Sequence, residues 1–309
     1  MRLVHLGNVV VDLVLTVGDL PVRGGDVIAT STTASPGGGF NVMAAASRLG
    51  LTTLYGGPLG TGPFGDRARA ALLAEGIDWL LPARRDLDTG FVVTLVDSSG
   101  ERTFVTSPGA EATLRSTDLL QPGLDDLVYL SGYSLLHDAN RDALIPWLAT
   151  IPAGVHVFFD PGPLVADIPS TALEPVLARA DWLSCNRAEA QAMTGLNDST
   201  DAAKELMARG GSRSEAGGSG GVLVRVGAEG CLLGVQGEVV SVAGFAVAAV
   251  DLNGAGDAHS GAFLAGIAEG KEPAGAARWA NAAAALAVTR RGPATGPSRA
   301  ELEGFLRVH

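Results

Sequence analysis

The 309-residue chain has little cysteine, few aromatics and a deficit of positive charge. Two cysteines, Cys185 and Cys231, are too few for a disulfide framework, and their scarcity fits a reducing cytoplasm. Aromatic residues make up 5% against 42 glycines and abundant alanine, which suits closely packed helices on a sheet better than an aromatic-rich β-sandwich. Lys and Arg number 22 against 33 Asp and Glu, a formal charge of −11, and this argues against a general nucleic-acid or anionic-membrane binder. It does not exclude a small anionic ligand, because a few backbone N–H groups can hold a phosphate inside an acidic protein. No apolar run is long enough to cross a bilayer. The opening MRLVHLGNVVVDLVL lacks the charged start, long apolar block and small-residue cleavage site of a secretory signal. The expectation is a soluble, cytoplasmic protein with no nucleic-acid or membrane partner.

What is present is a large core: 47% of residues are hydrophobic and 18% charged. Short apolar runs alternate with helix-like stretches. LVHLGNVVVDLVL (3–15) reads as one buried strand continuing past Gly7, and NVMAAASRLG (41–50) as a helix ending at Gly50. TTLYGGPLG then supplies a strand and loop, and PFGDRARAALLAEGI (63–77) a second helix. DLVYLSG (126–132), VHVFFDPG (155–162) and DWLSCN (181–186) are compact runs, each followed by a helical partner. This alternation predicts a three-layer α/β/α, Rossmann-like domain with a mostly parallel central sheet. TGFVVTLVDSSGERTFVTSPGA (89–110) breaks the pattern with a hairpin around Asp97–Gly100, and DVIATSTTASPGGG (26–39) is also extended. Together they predict a small β-sheet lid, from segments near 12–36 and 89–108, on a single domain spanning 1–309. GGSRSEAGGSGG (210–221) reads as a flexible surface excursion, and no internal repeat is evident.

DLNGAGDAHSGAFLAG (251–266) places an acid directly after Gly-Ala-Gly, where a helix begins. Gly254, Ala255 and Gly256 let several backbone N–H groups point into one space, which the positive end of a helix also faces. Such a cradle suits the charge that builds on a transferring phosphoryl group, and Asp257 at its edge could take a proton from an attacking hydroxyl. Asp257 as a plain helix cap explains the stretch alone equally well. PGGGFNVMAAASRLG (36–50) is a second glycine cluster opening a helix. Gly37, Gly38 and Gly39 allow close approach of a ligand, and Asn41 can donate to and accept from sugar hydroxyls. No Lys-Ser or Lys-Thr follows, so this is not a phosphate loop; alone it reads as a glycine turn with a capping asparagine.

Together the two clusters resemble the ribokinase-like (PfkB) family of carbohydrate kinases. Gly37, Gly38, Gly39, Asn41, Gly50 and Gly60 fall on the family's first motif, and Asp251, Gly254, Ala255, Gly256, Asp257, Gly261 and Ala262 on its second. Between them NRAE (186–189) matches Asn-x-x-Glu, VRVGAEG (224–230) matches the strand ending in Gly-x-x-Gly, and GNVVVD puts Asp12 at the substrate position. WANAAAALAVTRRG (279–292) resembles the C-terminal helix and loop.

The resemblance implies a ribokinase-like fold and an ATP-dependent sugar kinase. Asp257 would be the catalytic base, with Gly254, Ala255 and Gly256 as an anion hole. Asp12, Gly37, Gly38 and Asn41 would hold the acceptor. Asn186 would lie near the phosphates, Glu189 would help position Mg²⁺ through water, and Gly227, Gly230 and Asn281 would belong to the nucleotide site. Without the resemblance, Asn186 and Glu189 read as a helix-capping pair. Arg225 either adds positive charge near the phosphates or faces outward from its strand. Many relatives dimerise through the lid, which would make this chain a homodimer.

The chain departs from the family in places. Leu252-Asn253 replace the common Thr-Thr, Met43 replaces a small residue, and Gly39-Phe40 stand where many sugar kinases carry a lysine. Phe40 is therefore expected to reshape the acceptor pocket. Ser298 lies further past Gly292 than the family spacing, in a loop that helps form a monovalent-cation site in ribokinase itself, so potassium activation is not expected. A nucleoside kinase of the same family and a non-catalytic sugar- or nucleotide-binding regulator are the alternatives. A dinucleotide-dependent oxidoreductase is disfavoured, since no Gly-x-Gly-x-x-Gly follows the first strand.

Overall fold

The structure, a computed structural model, describes residues 1–210 and 220–309. Most of the glycine- and serine-rich stretch 210–221 lies outside the described residues. In chain order the first elements are β1 (Arg2–His5), β2 (Val9–Thr16), β3 (Ser31–Gly38), α1 (Gly39–Arg48), β4 (Thr53–Tyr55), α2 (Pro63–Ala74) and β5 (Asp78–Trp79). There follow β6 (Phe91–Val96), β7 (Arg102–Ser107), β8 (Asp126–Ser131), α3 (Asp138–Leu148), β9 (His156–Asp160), α4 (Ser170–Arg179), β10 (Trp182–Asn186) and α5 (Arg187–Thr194). The chain continues through α6 (Ser199–Ala208), β11 (Gly221–Arg225), β12 (Gly230–Val235), β13 (Glu238–Ala243), α7 (Ala255–Ala268), α8 (Pro273–Val288) and α9 (Arg299–Val308).

Nine strands form the main sheet in the order β13-β12-β11-β10-β9-β8-β1-β4-β5. Strands β5, β4, β1, β8, β9, β10 and β11 pair in parallel in that order, and β12 and β13 add antiparallel. Parallel strands covered on both faces read as continuous apolar runs, and alternate residues feed opposite layers. Val128, Leu130, Val157, Phe159 and Leu183 pack with α3 to α6 on one side. Leu127, Tyr129, Phe158 and Trp182 pack with α1, α7, α8 and α9 on the other. Four further strands form a small sheet in the order β3-β2-β6-β7. No helix among the described residues is long and apolar enough to cross a membrane.

The single strand expected over 3–15 is two strands in two sheets: β1 enters the main sheet and β2 the small one. The chain breaks at Leu6-Gly7-Asn8, where the Gly7 N–H donates to His5 Nδ1 at 2.9 Å. A Cβ on Gly7 would lie 2.3 Å from His5 Cε1, so only glycine lets the chain turn back over that ring. Both halves are apolar, which hides the break in the sequence.

Candidate active site

The strand order reverses at β1, which pairs with β8 on one side and β4 on the other. In an open parallel sheet the crevice outside the carboxyl ends of the strands at such a reversal is where ligands bind. Asp160, Asn186 and Arg225 are the last residues of β9, β10 and β11. The starts of α1 and α7 face one another beside them. Gly261 makes that approach workable: a Cβ there would lie 2.6 Å from the Val42 carbonyl oxygen and 2.8 Å from Ala45 Cβ, both on α1.

The two helix starts meet through side chains. Asn41 Nδ2 donates to Asp257 Oδ2 at 2.9 Å. Burial pushes the Asp257 carboxyl up to about 7; the Asn41 bond opposes this, Asp160 and Asp12 add to it, and Arg225 opposes it. Gly254 caps α7 with φ 74°, a left-handed conformation open to glycine. In the first turn of α7 the N–H groups of Gly256 and Asp257 have no protein acceptor among the described residues. They are donors at the positive end of a helix, the kind of place where an anion binds, and the Arg225 guanidinium lies beside Gly256.

On the small-sheet side, burial pushes Asp12, on β2, up to about 6. Gly37 lies against it, since a Cβ at Gly37 would be 2.2 Å from Asp12 Oδ2. Gly38 (φ 61°) follows, and the Gly39 N–H donates to the Asn8 carbonyl at 2.6 Å. Phe40 departs from expectation: it is buried in an apolar cluster with Val9, Met43, Tyr55 and Leu59. It is a core residue, held there because α1 packs that face inward.

Arg225 faces inward and gathers the third side of the site. Its Nη1 lies 2.9 Å from Asp160 Oδ2 and 2.6 Å from Ser184 Oγ, and its Nη2 lies 3.2 Å from Glu189 Oε2. One guanidinium thus serves two carboxylates. Burial and the neighbouring Asp160 raise the Glu189 carboxyl's proton affinity, and Arg225 opposes them. Asn186 and Glu189 also form the capping pair: Glu189 Oε2 accepts the Asn186 N–H at 2.7 Å, and Asn186 Oδ1 accepts the Glu189 N–H at 2.9 Å. The cap fixes Glu189 where Arg225 can reach it.

Gly227 and Gly230 bracket the turn between β11 and β12. Gly227 (φ 71°) has open space where a Cβ would be, whereas a Cβ on Gly230 would lie 2.2 Å from the Val242 carbonyl oxygen. Asn281 is buried, its amide donating to the carbonyls of Val242 and Ala243 at 2.9 and 3.2 Å, with His259 Nε2 3.2 Å from its Oδ1. Asn281 and Gly230 are thus engaged with protein and do not join the cluster around Asp257.

Asp160 and Ser184 escaped the sequence reading. The one signal for Asp160 was an apolar run, VHVFFD, closing on an acid at what becomes the carboxyl end of a parallel strand.

A family model described as pfkB family carbohydrate kinase matches residues 2–300. An uncharacterized sugar kinase of Escherichia coli (strain K12) is 31% identical over 302 residues, covering 96% of this chain and 91% of that protein. A protein of E. coli solved in complex with ATP and Mg²⁺ superposes with a TM-score of 0.86 at 25% identity, over 100% of this chain and 99% of that one. Arabidopsis thaliana ribokinase, solved with ribose and ATP, gives a TM-score of 0.79 at 25% identity, over 99% and 98%. With the ribokinase-type sheet, the paired helix starts and a family match over nearly its whole length, the chain belongs to the pfkB family of carbohydrate kinases and is a phosphotransferase with an alcohol group as acceptor.

Proposed function

We propose that this enzyme transfers the γ-phosphoryl group of ATP to a hydroxyl of a small carbohydrate, with Asp257 as general base. The observation that carries this reading is the Asn41–Asp257 hydrogen bond, with a buried carboxyl whose pKa lies near neutrality. A base is most effective when its pKa is close to the working pH, and this one stands beside unpaired helix N–H groups. Asp12, Gly37, Gly38 and Asn41 bind the acceptor and orient one hydroxyl toward Asp257. That hydroxyl gives its proton to Asp257 as its oxygen attacks the γ-phosphorus. The N–H groups of the Gly254–Gly256 turn and the α7 start receive the charge on the transferring group. Arg225, Asn186 and Gly227 line the phosphate side. Gly230 and Asn281 shape that side through β12 and β13. The small sheet, which carries Asp12, acts as a lid that excludes water.

The donor set fits magnesium: Asp160 and Glu189 are hard oxygen ligands in charge excess over the one guanidinium they share. These two carboxylates would hold Mg²⁺ with water and substrate phosphates, and the bound ion would offset charge on those phosphates.

The test is an ADP-release assay with ATP and Mg²⁺ over pentoses, hexoses, ketoses, sugar acids and nucleosides, wild type beside Asp257→Asn. Losing the base should lower turnover roughly 10²–10⁴-fold while ATP still binds. Normal turnover in Asp257→Asn refutes the assignment. Turnover on nucleosides alone selects the nucleoside kinase, and ATP binding with no turnover on any acceptor selects the regulator.

A further inference from the structure

The small sheet reaches the glycine turn directly through one side chain. Arg102 opens β7, just past the Asp97–Gly100 hairpin turn, and its Nη2 lies 2.6 Å from Asp251 Oδ1. The same Oδ1 accepts the Asn253 N–H at 2.9 Å, and Oδ2 accepts the Gly292 N–H at 3.0 Å. These two amides belong to the two segments that build the entrance to α7. Asn253 leads into Gly254, and Gly292 leads into Pro293, whose carbonyl oxygen would lie 1.7 Å from a Cβ on Gly254. Asp251 therefore joins both segments beneath the turn, and Arg102 fastens that joint to the small sheet.

The far side of the small sheet carries the acceptor residues. β7 pairs with β6, β6 with β2, and β2 with β3, so Arg102, Asp12, Gly37 and Gly38 share one hydrogen-bonded unit. A movement of Asp12 with this sheet moves Arg102 relative to Asp251. The pair is mostly shielded, 29% exposed for the Arg102 side chain and 14% for Asp251. It is made while the small sheet is seated, and lifting the sheet would leave Asp251 with only its two backbone N–H partners.

We propose that Arg102 is a positioning residue: through Asp251 it holds the Gly254–Gly256 turn in its anion-receiving shape when the small sheet is seated on the acceptor. This rests on the reading above, in which that turn receives the γ-phosphoryl group. It links the two halves of the reaction, since phosphoryl transfer becomes efficient only with the acceptor side in place, and acceptor-free ATP hydrolysis is kept low.

The test compares Arg102→Ala, Arg102→Lys, Asp251→Asn and the Arg102→Ala/Asp251→Asn double variant, with Asp257→Asn alongside, all as full chains. Phosphotransfer is read with ribose and fructose as probe acceptors, ATP affinity by calorimetry, and amide exchange over residues 252–257 with ATP and Mg²⁺ present. Arg102→Ala should lower kcat about fivefold or more, the lower end of coupling between linked sites, with ATP affinity unchanged and exchange at 252–257 faster. Arg102→Lys should recover part of the loss, and the double variant should be no worse than Asp251→Asn alone. Losses that multiply in the double variant overturn the coupling, as do wild-type rates and exchange in Arg102→Ala. If neither probe sugar is turned over, exchange at 252–257 decides by itself. Asp257→Asn losing turnover while the Arg102 variants behave as wild type removes the coupling and leaves the site reading intact. Asp257→Asn retaining turnover removes both.

Discussion

The turn before α1 and the turn before α7 look alike as strings, glycines followed by a polar side chain in the first helical turn. Their surroundings differ. In the first, a Cβ would lie 2.2 Å from Asp12 Oδ2 at Gly37, 2.9 Å from the Asn8 carbonyl oxygen at Gly38 and 2.1 Å from His5 Cε1 at Gly39. Every vacant side-chain position there is already filled by another part of the protein. In the second, Gly254 is closed in the same way by Pro293, but Gly256 faces only Arg225, whose nearest atom would be 3.6 Å from a Cβ. Beside Gly256 stands the Arg225 guanidinium at ordinary contact distance, a cation where Gly254 meets a carbonyl, and the unpaired N–H groups lie next to it. A glycine needed for packing and a glycine needed for access cannot be told apart by counting glycines; the atoms around each one separate them.

The sharpest way to break this comparison is to add one methyl group at each position of the second turn. Gly254→Ala places a Cβ against a backbone carbonyl and at positive φ, so the cost falls on folding and Tm drops by several degrees. Gly256→Ala meets no such clash and should keep the wild-type Tm while placing a methyl between the proposed anion donors and Arg225. Its kcat should fall roughly 10²-fold, the scale of losing one oxyanion-hole donor. Calorimetry and steady-state rates on both variants decide the matter. Equal losses of Tm would mean that Gly256, too, is a packing glycine.

How much of this could be read beforehand varied with the physics at each residue. The parallel sheet was legible because strands buried on both faces leave long apolar runs such as VHVFF and WLSC. The hairpin over 89–110 was legible from its turn, where Asp97 Oδ1 accepts the N–H groups of Ser99 and Glu101. The break at Gly7 was not, because its two flanks are equally apolar and differ only in which sheet they join. Phe40 and Asn281 were both read toward ligands for a shared reason: nothing local tells whether a side chain faces a ligand or the core. Asp160 was invisible as a partner of Arg225 and Glu189 because the three meet only when β9, β10 and β11 lie side by side. Asp257 and Asn41 were each singled out in separate motifs, but their direct bond across 216 positions of sequence is a product of Gly261 bringing α7 onto α1.

A smaller effect sharpens the first turn. Gly37→Ala would press a Cβ onto Asp12 Oδ2, the end of a side chain that can rotate away, unlike the carbonyl that blocks Gly254. The fold should survive with Asp12 turned from its place. Acceptor KM should then rise about tenfold, the scale of one misplaced hydrogen-bonding group, with kcat much less affected. A fall in kcat without a change in KM would place Gly37 on the phosphoryl side of the crevice instead.

The smallest expected shift tests the one bond that joins the two turns. Asp257 must be ionised to act as a base, and with its pKa at about 7, kcat/KM should fall as pH drops below neutrality. The Asn41 bond favours the charged form, so Asn41→Ala should move that acid limb upward by about half a unit to one unit, the equivalent of one hydrogen bond. Stability carries the opposite sign. Below the ordinary Asp value of 3.8 the carboxyl is protonated folded or unfolded and contributes nothing. Between there and about 7 the unfolded chain ionises while the folded one keeps its proton, so stability falls as pH rises. Asp257→Asn escapes this loss and should melt a few degrees above wild type at pH 8, with the difference closing toward pH 4. On the proposed reading, the carboxyl that limits activity in acid would also weaken the fold in base. A variant more stable at pH 8 yet inactive would show that Asp257 is held at this junction for its proton and not for packing.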